Sequence, residues 1–425
     1  MFIIFFLTLL SYSLSYTIDL TKVEIDLTKS YPEKKTHISF EKITEEEKEY
    51  IYYLNLSEEI AGLQIIETET KKQIHYTTKT TEKYHEIHIP ITQKTSAITI
   101  TYYLFNKSVN RPKKISPYEN NQVDLEMTIC PIADVVIEQC EVSIQHPTDV
   151  IFVSKPFESE TNDDKTTFEE ITNINSFEEK KIIVHYVSVP HLRVKEYIHT
   201  VDIPILANEL KIQNWFEGVK NEGAELSEGF SRYEFQLNNQ IMPNAIMNFD
   251  VDIHKDAFHL EYRDTSGNIS TSAVDPETKS QHVTLLPRYP LLSDWQTEFN
   301  LNYHIPKDIY MSQGKTIIEL PIVDKTIVEH CILRIYLPDG AKYIKFESND
   351  IKEDKIEIND HEAFMSFSER KEILIHLHNI NLMQKNKFAI YYEESSSAVA
   401  NTYIVAFTYI ITIFVGFFFF IKYSA

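Results

Sequence analysis

From Ser395 to Ile421 the chain carries no charged residue. Its core, Tyr403 to Ile421, reads YIVAFTYIITIFVGFFFFI. As a helix at ~1.5 Å per residue this stretch reaches about 28 Å, close to the hydrocarbon thickness of a bilayer. A span of this kind commits the rest of the chain to one side of a membrane or the other. Glu393 and Glu394 precede it and Lys422 follows it, so the positive end faces the cytoplasm. Thr408 and Thr412 are four residues apart and share a helix face, where they either bond their own backbone or touch a neighbouring helix. Only residues 422–425 follow as a short tail, so no cytosolic domain is expected.

The other end supports the same orientation. Met1 to Leu10 reads MFIIFFLTLL, an apolar run too short to cross a bilayer. Ser13 and Ser15 then stand at −3 and −1 of a cleavage point before Tyr16. No Lys or Arg precedes the run, so only the α-amine supplies positive charge. A buried N-terminal strand is the competing reading, and the absence of flanking charge argues against it. Residues 1–15 are therefore expected to be a signal peptide, and 398–421 a transmembrane helix of a single-pass type I protein.

Between these ends the chain reads as β structure. Period-2 alternation recurs in Tyr84-His-Glu-Ile-His-Ile-Pro-Ile, Ala97-Ile-Thr-Ile-Thr-Tyr-Tyr, Lys181-Ile-Ile-Val-His-Tyr-Val-Ser-Val, Thr316-Ile-Ile-Glu-Leu-Pro-Ile-Val and Ile332-Leu-Arg-Ile-Tyr-Leu. The segments are short and end in turn residues such as Pro338-Asp-Gly, and no lumenal stretch shows a sustained helical stripe. The expectation is a mostly β protein: two tandem lumenal β-sandwich-like domains, 16–189 and 190–397, and one C-terminal transmembrane helix. The boundary rests on a polar, acidic stretch from Glu158 to Lys180, a strand at 181–189, and a new block at Pro190. A weak internal echo points to two similar halves. Residues 84–103 pair a Glu-Ile-x-Ile strand with one ending Tyr-Tyr, and residues 372–392 do the same.

Composition narrows the function classes. Lys and Arg number 41 and Asp and Glu 63, so the net charge is 41 − 63 = −22, which disfavours nucleic-acid binding. Glycine numbers only 8, so phosphate-cradling loops are scarce, and Gly218, Gly223 and Gly229 match no such spacing. His361-Glu362 lacks the second His of a zinc-peptidase helix, because position 365 is Met. No Gly-flanked serine elbow occurs. Asp250-Val-Asp252 resembles the metal-holding carboxylate pair of sugar-nucleotide transferases, but a solvated strand face accounts for it more simply. His254 and His259 likewise read as surface or core histidines. No catalytic residue, cofactor site or metal site is expected in this chain.

Cys130 and Cys140 lie in segments that read as adjacent strands, and an oxidising lumen allows them to pair. Cys331 is then the odd thiol, expected to be buried in its strand. Three acceptor sequons occur, at Asn55-Leu-Ser, Asn106-Lys-Ser and Asn268-Ile-Ser, of which Asn268 sits on the most turn-like sequence.

Three blocks in the central half carry a resemblance. They are Gly229-Phe-Ser-Arg-Tyr-Glu-Phe-Gln, then Glu261-Tyr-Arg-Asp-Thr-Ser-Gly-Asn-Ile-Ser-Thr-Ser, then Pro287-Arg-Tyr-Pro-Leu-Leu-Ser-Asp-Trp-Gln-Thr. In order and spacing they resemble the ribophorin I family, the first subunit of the eukaryotic oligosaccharyltransferase complex. Leu337-Pro-Asp-Gly-Ala-Lys and Thr17-Ile-Asp-Leu resemble further family segments. The motif similarity is strong over about residues 190–345 and holds only in outline over 17–189. The short tail departs from animal members and resembles a fungal-like form.

The resemblance implies a non-catalytic subunit of a complex that moves a dolichol-linked oligosaccharide onto Asn of Asn-X-Ser/Thr in nascent chains. It implies a protein of the endoplasmic reticulum membrane. The chemistry and the metal would belong to a polytopic catalytic subunit, and small membrane subunits would pack on the span. Nascent polypeptide and the translocon would be neighbours. On the residues themselves, Arg263 and Asp264 read as a charge pair ordering the turn before Gly267. Pro287, Pro290 and Trp295 read as a rigid corner, so Arg288 and Trp295 are candidate partner contacts. A cell-surface receptor or adhesin with a tandem sandwich ectodomain remains the rival from another class, and a glycan-transferring enzyme using Asp250 and Asp252 is a third.

Overall fold

The computed structural model describes residues 16–43, 47–105, 107–154, 157–205, 207–231, 233, 242–269, 273–275, 281–312, 314–348, 353, 355–361 and 369–424. The expected signal peptide, the sequon residue Asn106 and the tail residue Ala425 lie outside the described residues. The chain is mostly strand, and it ends in a helix, α1, spanning Ser396–Ser424. The stretch Tyr403–Ile421 within α1 has a mean hydropathy of 2.6 and none of it is buried. It is long and apolar enough to cross a membrane.

The chain divides into two compact units. Unit 1 comprises residues 1–109 and 122–188; unit 2 comprises 110–121 and 189–425. Each has its own hydrophobic core. In unit 1 a large sheet contains β1 (Tyr16–Asp26), β2 (Glu33–Ile43), β3 (Glu59–Glu67), β4 (Ala97–Phe105), β5 (Ile137–Gln145), β6 (Ser159–Thr161) and β7 (Lys165–Phe168). Their order across the sheet is β6-β7-β5-β1-β2-β4-β3. In unit 2 the large sheet contains β8 (Leu192–Asp202), β9 (Glu209–Asn221), β10 (Phe258–Asp264), β11 (Gln296–Pro306), β12 (Thr326–Tyr336), β13 (Lys355–His361) and β14 (Arg370–Asn381). Their order is β13-β14-β12-β8-β9-β11-β10.

The two sheets share one plan, each strand of unit 2 standing where the strand numbered seven lower stands in unit 1. The directions agree as well. The first strand of each unit pairs antiparallel with the second, β1 with β2 and β8 with β9. It pairs parallel with a later one, β1 with β5 and β8 with β12. The small sheets follow suit. Glu47–Asn55, Tyr84–Thr92 and Thr77–Thr80 form a sheet in unit 1, and Phe249–Ile253, Gln281–Leu285 and Ala273–Asp275 form its equivalent in unit 2. The sheet of Ile151–Ser154, Lys181–Val187, Gln122–Thr128 and Ser108–Asn110 corresponds to that of Lys342–Ser348, Lys387–Glu393, Lys315–Glu319 and Met311–Ser312.

The alternation explains why these segments become strands. In β4, Ile98, Ile100, Tyr102 and Leu104 point into the core of unit 1, and in β14, Ile373, Ile375 and Leu377 point into that of unit 2. The echo between 84–103 and 372–392, however, joins strands that are not equivalent. The counterparts of Tyr84–Thr92 and β4 are Gln281–Leu285 and β11, whereas 372–392 covers β14 and Lys387–Glu393. The likeness there is period-2 strand chemistry that any half-buried strand shares.

Cys130 stands in a bend and only Cys140 lies in a strand, so the two cysteines of the unit 1 core are not on adjacent strands. Cys130 follows Gln122–Thr128, and Cys140 lies in β5 beside Thr21 of β1. Both are buried free thiols, as is Cys331 in β12. A hydrogen bond between Cys140 and Cys130, together with burial, pushes the Cys140 thiol far above its ordinary range.

Candidate functional site at the Arg288 turn and the Trp295 corner

The second and third sequence blocks meet in unit 2. Strand β10 ends at Asp264, and a tight turn leads to Gly267–Asn268, which pairs back on Arg263 and Asp264. Asp264 Oδ1 accepts the Ser266 N–H at 2.9 Å, an Asx turn that suits Asp at this position. Gly267 has φ +124°, a conformation that an L side chain rarely adopts. Arg288 then clamps the turn. Its Nε donates to Asp264 Oδ2 at 2.6 Å, and its Nη2 donates to the carbonyls of Gly267 at 3.2 Å and Asn268 at 3.3 Å. Slight burial works against ionisation of Asp264, but the guanidinium and the N–H groups of Ser266 and Gly267 hold its carboxyl below the usual range.

The acid of this turn therefore pairs with Arg288, not with Arg263. Alternate strand residues point to opposite faces, so Tyr262 is buried while Arg263 is exposed. Arg288 uses its Nε and Nη2 donors within the chain and positions the turn carrying Asn268. The backbone carbonyl of Asn268 is held while the residue remains exposed. Asn55, by contrast, closes the strand Glu47–Asn55, is half-buried, and donates its amide to Thr128 Oγ1 and Glu179 Oε2, both at 3.4 Å.

The Trp295 corner is built from a network that the sequence did not announce. Asn221, Asn244 and Asn121 are buried in unit 2. Asn221 Nδ2 donates to the carbonyls of Asn244 at 2.7 Å and Leu291 at 2.9 Å. Asn244 Oδ1 accepts the Asn121 N–H at 2.9 Å, and Asn121 Oδ1 accepts the Ala224 N–H at 2.9 Å. Three asparagines thus tie the 110–121 segment, the end of β9 and the 291–295 bend together. At Gly223 an added Cβ would stand 1.8 Å from Ser293 Oγ, so the bend closes only over a glycine. On this base Trp295 is 37% exposed and meets Phe230 edge-on, ring centroids 5.5 Å apart, which joins the first block to the third. Tyr289 and Leu286 are also exposed nearby in sequence. The remainder of the first block, Arg232 and 234–236, lies outside the described residues.

The other candidates are held elsewhere. Asp250 and Asp252 face the same side of Phe249–Ile253, where His282 Nδ1 sits 2.8 Å from Asp252 Oδ1 and Thr284 donates to Asp250 Oδ1 at 3.1 Å. This is a cross-strand ladder on one sheet face. Among the described residues, no group of three or more His, Cys, Asp or Glu is arranged to hold a metal ion. In α1, Thr408 Oγ1 donates to the Ile404 carbonyl at 2.7 Å and Thr412 Oγ1 to the Thr408 carbonyl at 2.8 Å. Both hydroxyls are satisfied within the helix, the arrangement a lipid-facing threonine needs.

Comparison with known proteins bears on the whole chain. The sequence profile of the family described as Ribophorin I matches residues 17–421. The chain is 25% identical over 294 residues to the Arabidopsis thaliana dolichyl-diphosphooligosaccharide–protein glycosyltransferase subunit 1A, covering 67% of this chain and 47% of that protein. It is 30% identical over 181 residues to the Caenorhabditis elegans subunit 1, covering 41% of this chain and 30% of that one. The chain thus spans about half or less of these relatives' lengths. Among solved structures, yeast LTA4 hydrolase in complex with bestatin aligns at 10% identity with a TM-score of 0.29, over 44% of this chain and 31% of that chain, a likeness too slight to bear on function.

Proposed function

The chain belongs to the ribophorin I family, and from that premise we propose that it serves as a non-catalytic subunit of the oligosaccharyltransferase complex. In this role it supports transfer of a dolichol-linked oligosaccharide to Asn of Asn-X-Ser/Thr in nascent proteins. The observation that carries the reading is the family match across 17–421, with the three sequence blocks built into one turn and one corner of unit 2. The chemistry is assigned to a polytopic partner subunit. The two units lie in the lumen of the endoplasmic reticulum, and α1 anchors them in its membrane as a single type I span beside small membrane subunits. Its threonines bond their own backbone, so α1 meets those partners through apolar side chains. Arg288 orders the turn, and Trp295 with Tyr289 presents the exposed aromatic corner to a partner. In the oxidising lumen Cys130 and Cys140 join as a disulfide. Asn268, exposed on its clamped turn, is the preferred glycan acceptor.

The family match gives no support to the adhesin reading. Depletion of this protein in its own cells tests the proposal. Site occupancy of reporter glycoproteins is expected to fall and to be restored by the wild-type chain. Normal occupancy after full depletion would contradict it. An Asp250→Ala chain is expected to restore occupancy fully, and failure with a folded variant would revive an enzymatic role for the Asp pair.

A further inference from the structure

Unit 2 contains a partly open cavity of about 530 Å³. Its floor is aliphatic. Val201, Leu210, Ile212 and Ile305 of the large sheet line one side, and Ile253 and Ile318 of the two small sheets line another. Its rim is charged. Lys255, Lys385 and Lys387 stand there with Asp252 and Glu319, so the rim carries 3 − 2 = +1 in a chain of net charge −22. Both acids are engaged. Glu319 pairs with Lys387, and Asp252 Oδ1 sits 2.8 Å from His282 Nδ1. Among the described residues no acid pairs with the ammonium group of Lys255 or Lys385, and both side chains are exposed. Two histidines in the wall add no charge. Asn214 Nδ2 donates to the Leu301 carbonyl at 2.8 Å, so its Oδ1 accepts, from the Tyr197 hydroxyl at 2.6 Å and from His199 Nδ1–H at 2.8 Å. Burial pushes the His199 pKa down to about 4. His254 Nδ1 accepts the Asp256 N–H at 3.1 Å, so that nitrogen carries no proton, and burial lowers the pKa of this ring as well.

We propose that this cavity is a binding site for a single-chain amphipathic anion, with its apolar body on the aliphatic floor and its carboxylate or phosphate headgroup at Lys255 and Lys385. The floor sets the apolar body, because a polar one would bury groups there without partners. The two unpaired ammonium groups set the sign. A cationic headgroup would meet them and find both rim acids already taken, and a neutral one would leave them unused. The lysines are exposed, so water and salt screen them and the charge contribution is modest. Burial of the apolar body therefore supplies most of the affinity, and the headgroup supplies the discrimination. The volume is within the range of small-molecule pockets, roughly 300–1,000 Å³.

The test uses the purified full chain in phosphatidylcholine nanodiscs, with empty nanodiscs as the blank for partition into lipid. The probes are decanoate, decylammonium, which keeps the chain and reverses the charge, and acetate, which keeps the headgroup and loses the chain. Calorimetric titration is expected to show decanoate binding about tenfold more tightly than decylammonium, and acetate not at all. Lys255→Met and Lys385→Met are each expected to weaken decanoate about threefold and to leave decylammonium no weaker. Added salt is expected to weaken decanoate in the wild-type chain. Ile212→Trp, which fills the cavity, is expected to abolish decanoate binding. Equal binding of decanoate and decylammonium, acetate binding as well as decanoate, decanoate binding unchanged when both lysines are replaced, or decanoate binding that survives Ile212→Trp would each overturn the proposal. Decanoate binding lost in nanodiscs that contain phosphatidylglycerol would overturn it too, by giving the site to a bilayer lipid in place of a free single-chain ligand. Should a variant fail to fold, hydrogen exchange on the wild-type chain decides. Slowed exchange in 253–257 and 383–387 on adding decanoate is expected, and no change there would also overturn the proposal.

Discussion

Unit 1 and unit 2 lay seven large-sheet strands in the same order and direction, yet they place polar groups around the parallel pair differently. In unit 1, Lys34 of β2 is 2% exposed and donates to the Thr128 carbonyl at 2.7 Å. The Thr128 hydroxyl reaches Glu58 at 3.2 Å, and the Tyr52 and Tyr102 hydroxyls meet at 3.1 Å. The thiols of Cys130 and Cys140 share this core. Unit 2 instead buries neutral groups beside its parallel pair: the Tyr197–His199–Asn214 set, and the three asparagines that hold the Trp295 corner. The strand plan needs only alternating apolar residues. The polar insertions that differ between units are where a shared scaffold acquires separate tasks, and the cavity and the corner both belong to unit 2.

This comparison can be broken most severely through the cores. Ile100 of β4 and Leu301 of β11 occupy equivalent strands and are both fully buried. Ile100→Ala and Leu301→Ala are each expected to cost about 3.5 kcal/mol. Amide exchange is expected to quicken in the mutated unit alone. Loss of protection in both units from either change would show one shared core instead of two.

Acid comes next. His199 has an ordinary pKa of 6.5, lowered in the folded chain to about 4 by burial. Between those values the unfolded chain takes up a proton that the folded one refuses, so stability falls as pH drops from about 6.5 to 4 and returns as pH rises. The loss from this residue is up to about 3 kcal/mol. His191, also buried in unit 2, is lowered by burial and adds in the same direction. Thermal melts are expected to show unit 2 weakening on acidification, with a shallower slope in His199→Phe. An unchanged slope would mean that His199 is protonated in the fold.

Gly223→Ala is expected to cost about 2 kcal/mol through overlap with Ser293. A melt that loses only the unit 2 transition would confirm the corner as its local support. The smallest effect belongs to Arg288→Ala, which leaves both cores intact. Faster exchange confined to 264–269 is the expected outcome, and unaltered exchange there would remove its role as a clamp.

Much of the architecture was legible in the sequence. The terminal apolar run gave the long helix, and period-2 segments such as Lys181–Val187 and Thr326–Tyr336 gave strands because alternation is a local property. The shared plan of the units was not legible, since equivalent strands such as β4 and β11 agree in pairing rather than in residues. The 84–103 echo misled for the same reason. Arg288 could be singled out, but its partner could not, because Asp264 lies across a sheet edge rather than beside it in sequence. Asn121, Asn221 and Asn244 give no local signal of burial, and only tertiary packing makes them buried ties. Nor do Lys255 and Lys385 announce a cavity rim, because a cavity is made by what several strands leave unfilled.

The most direct test of the functional claim is a tagged pull-down of the full chain from microsomes in mild detergent, with partners identified by mass spectrometry. The account predicts recovery of a polytopic glycosyltransferase together with small membrane subunits. A solitary chain, or one accompanied by cell-surface and secretory-cargo proteins in place of that set, would contradict it.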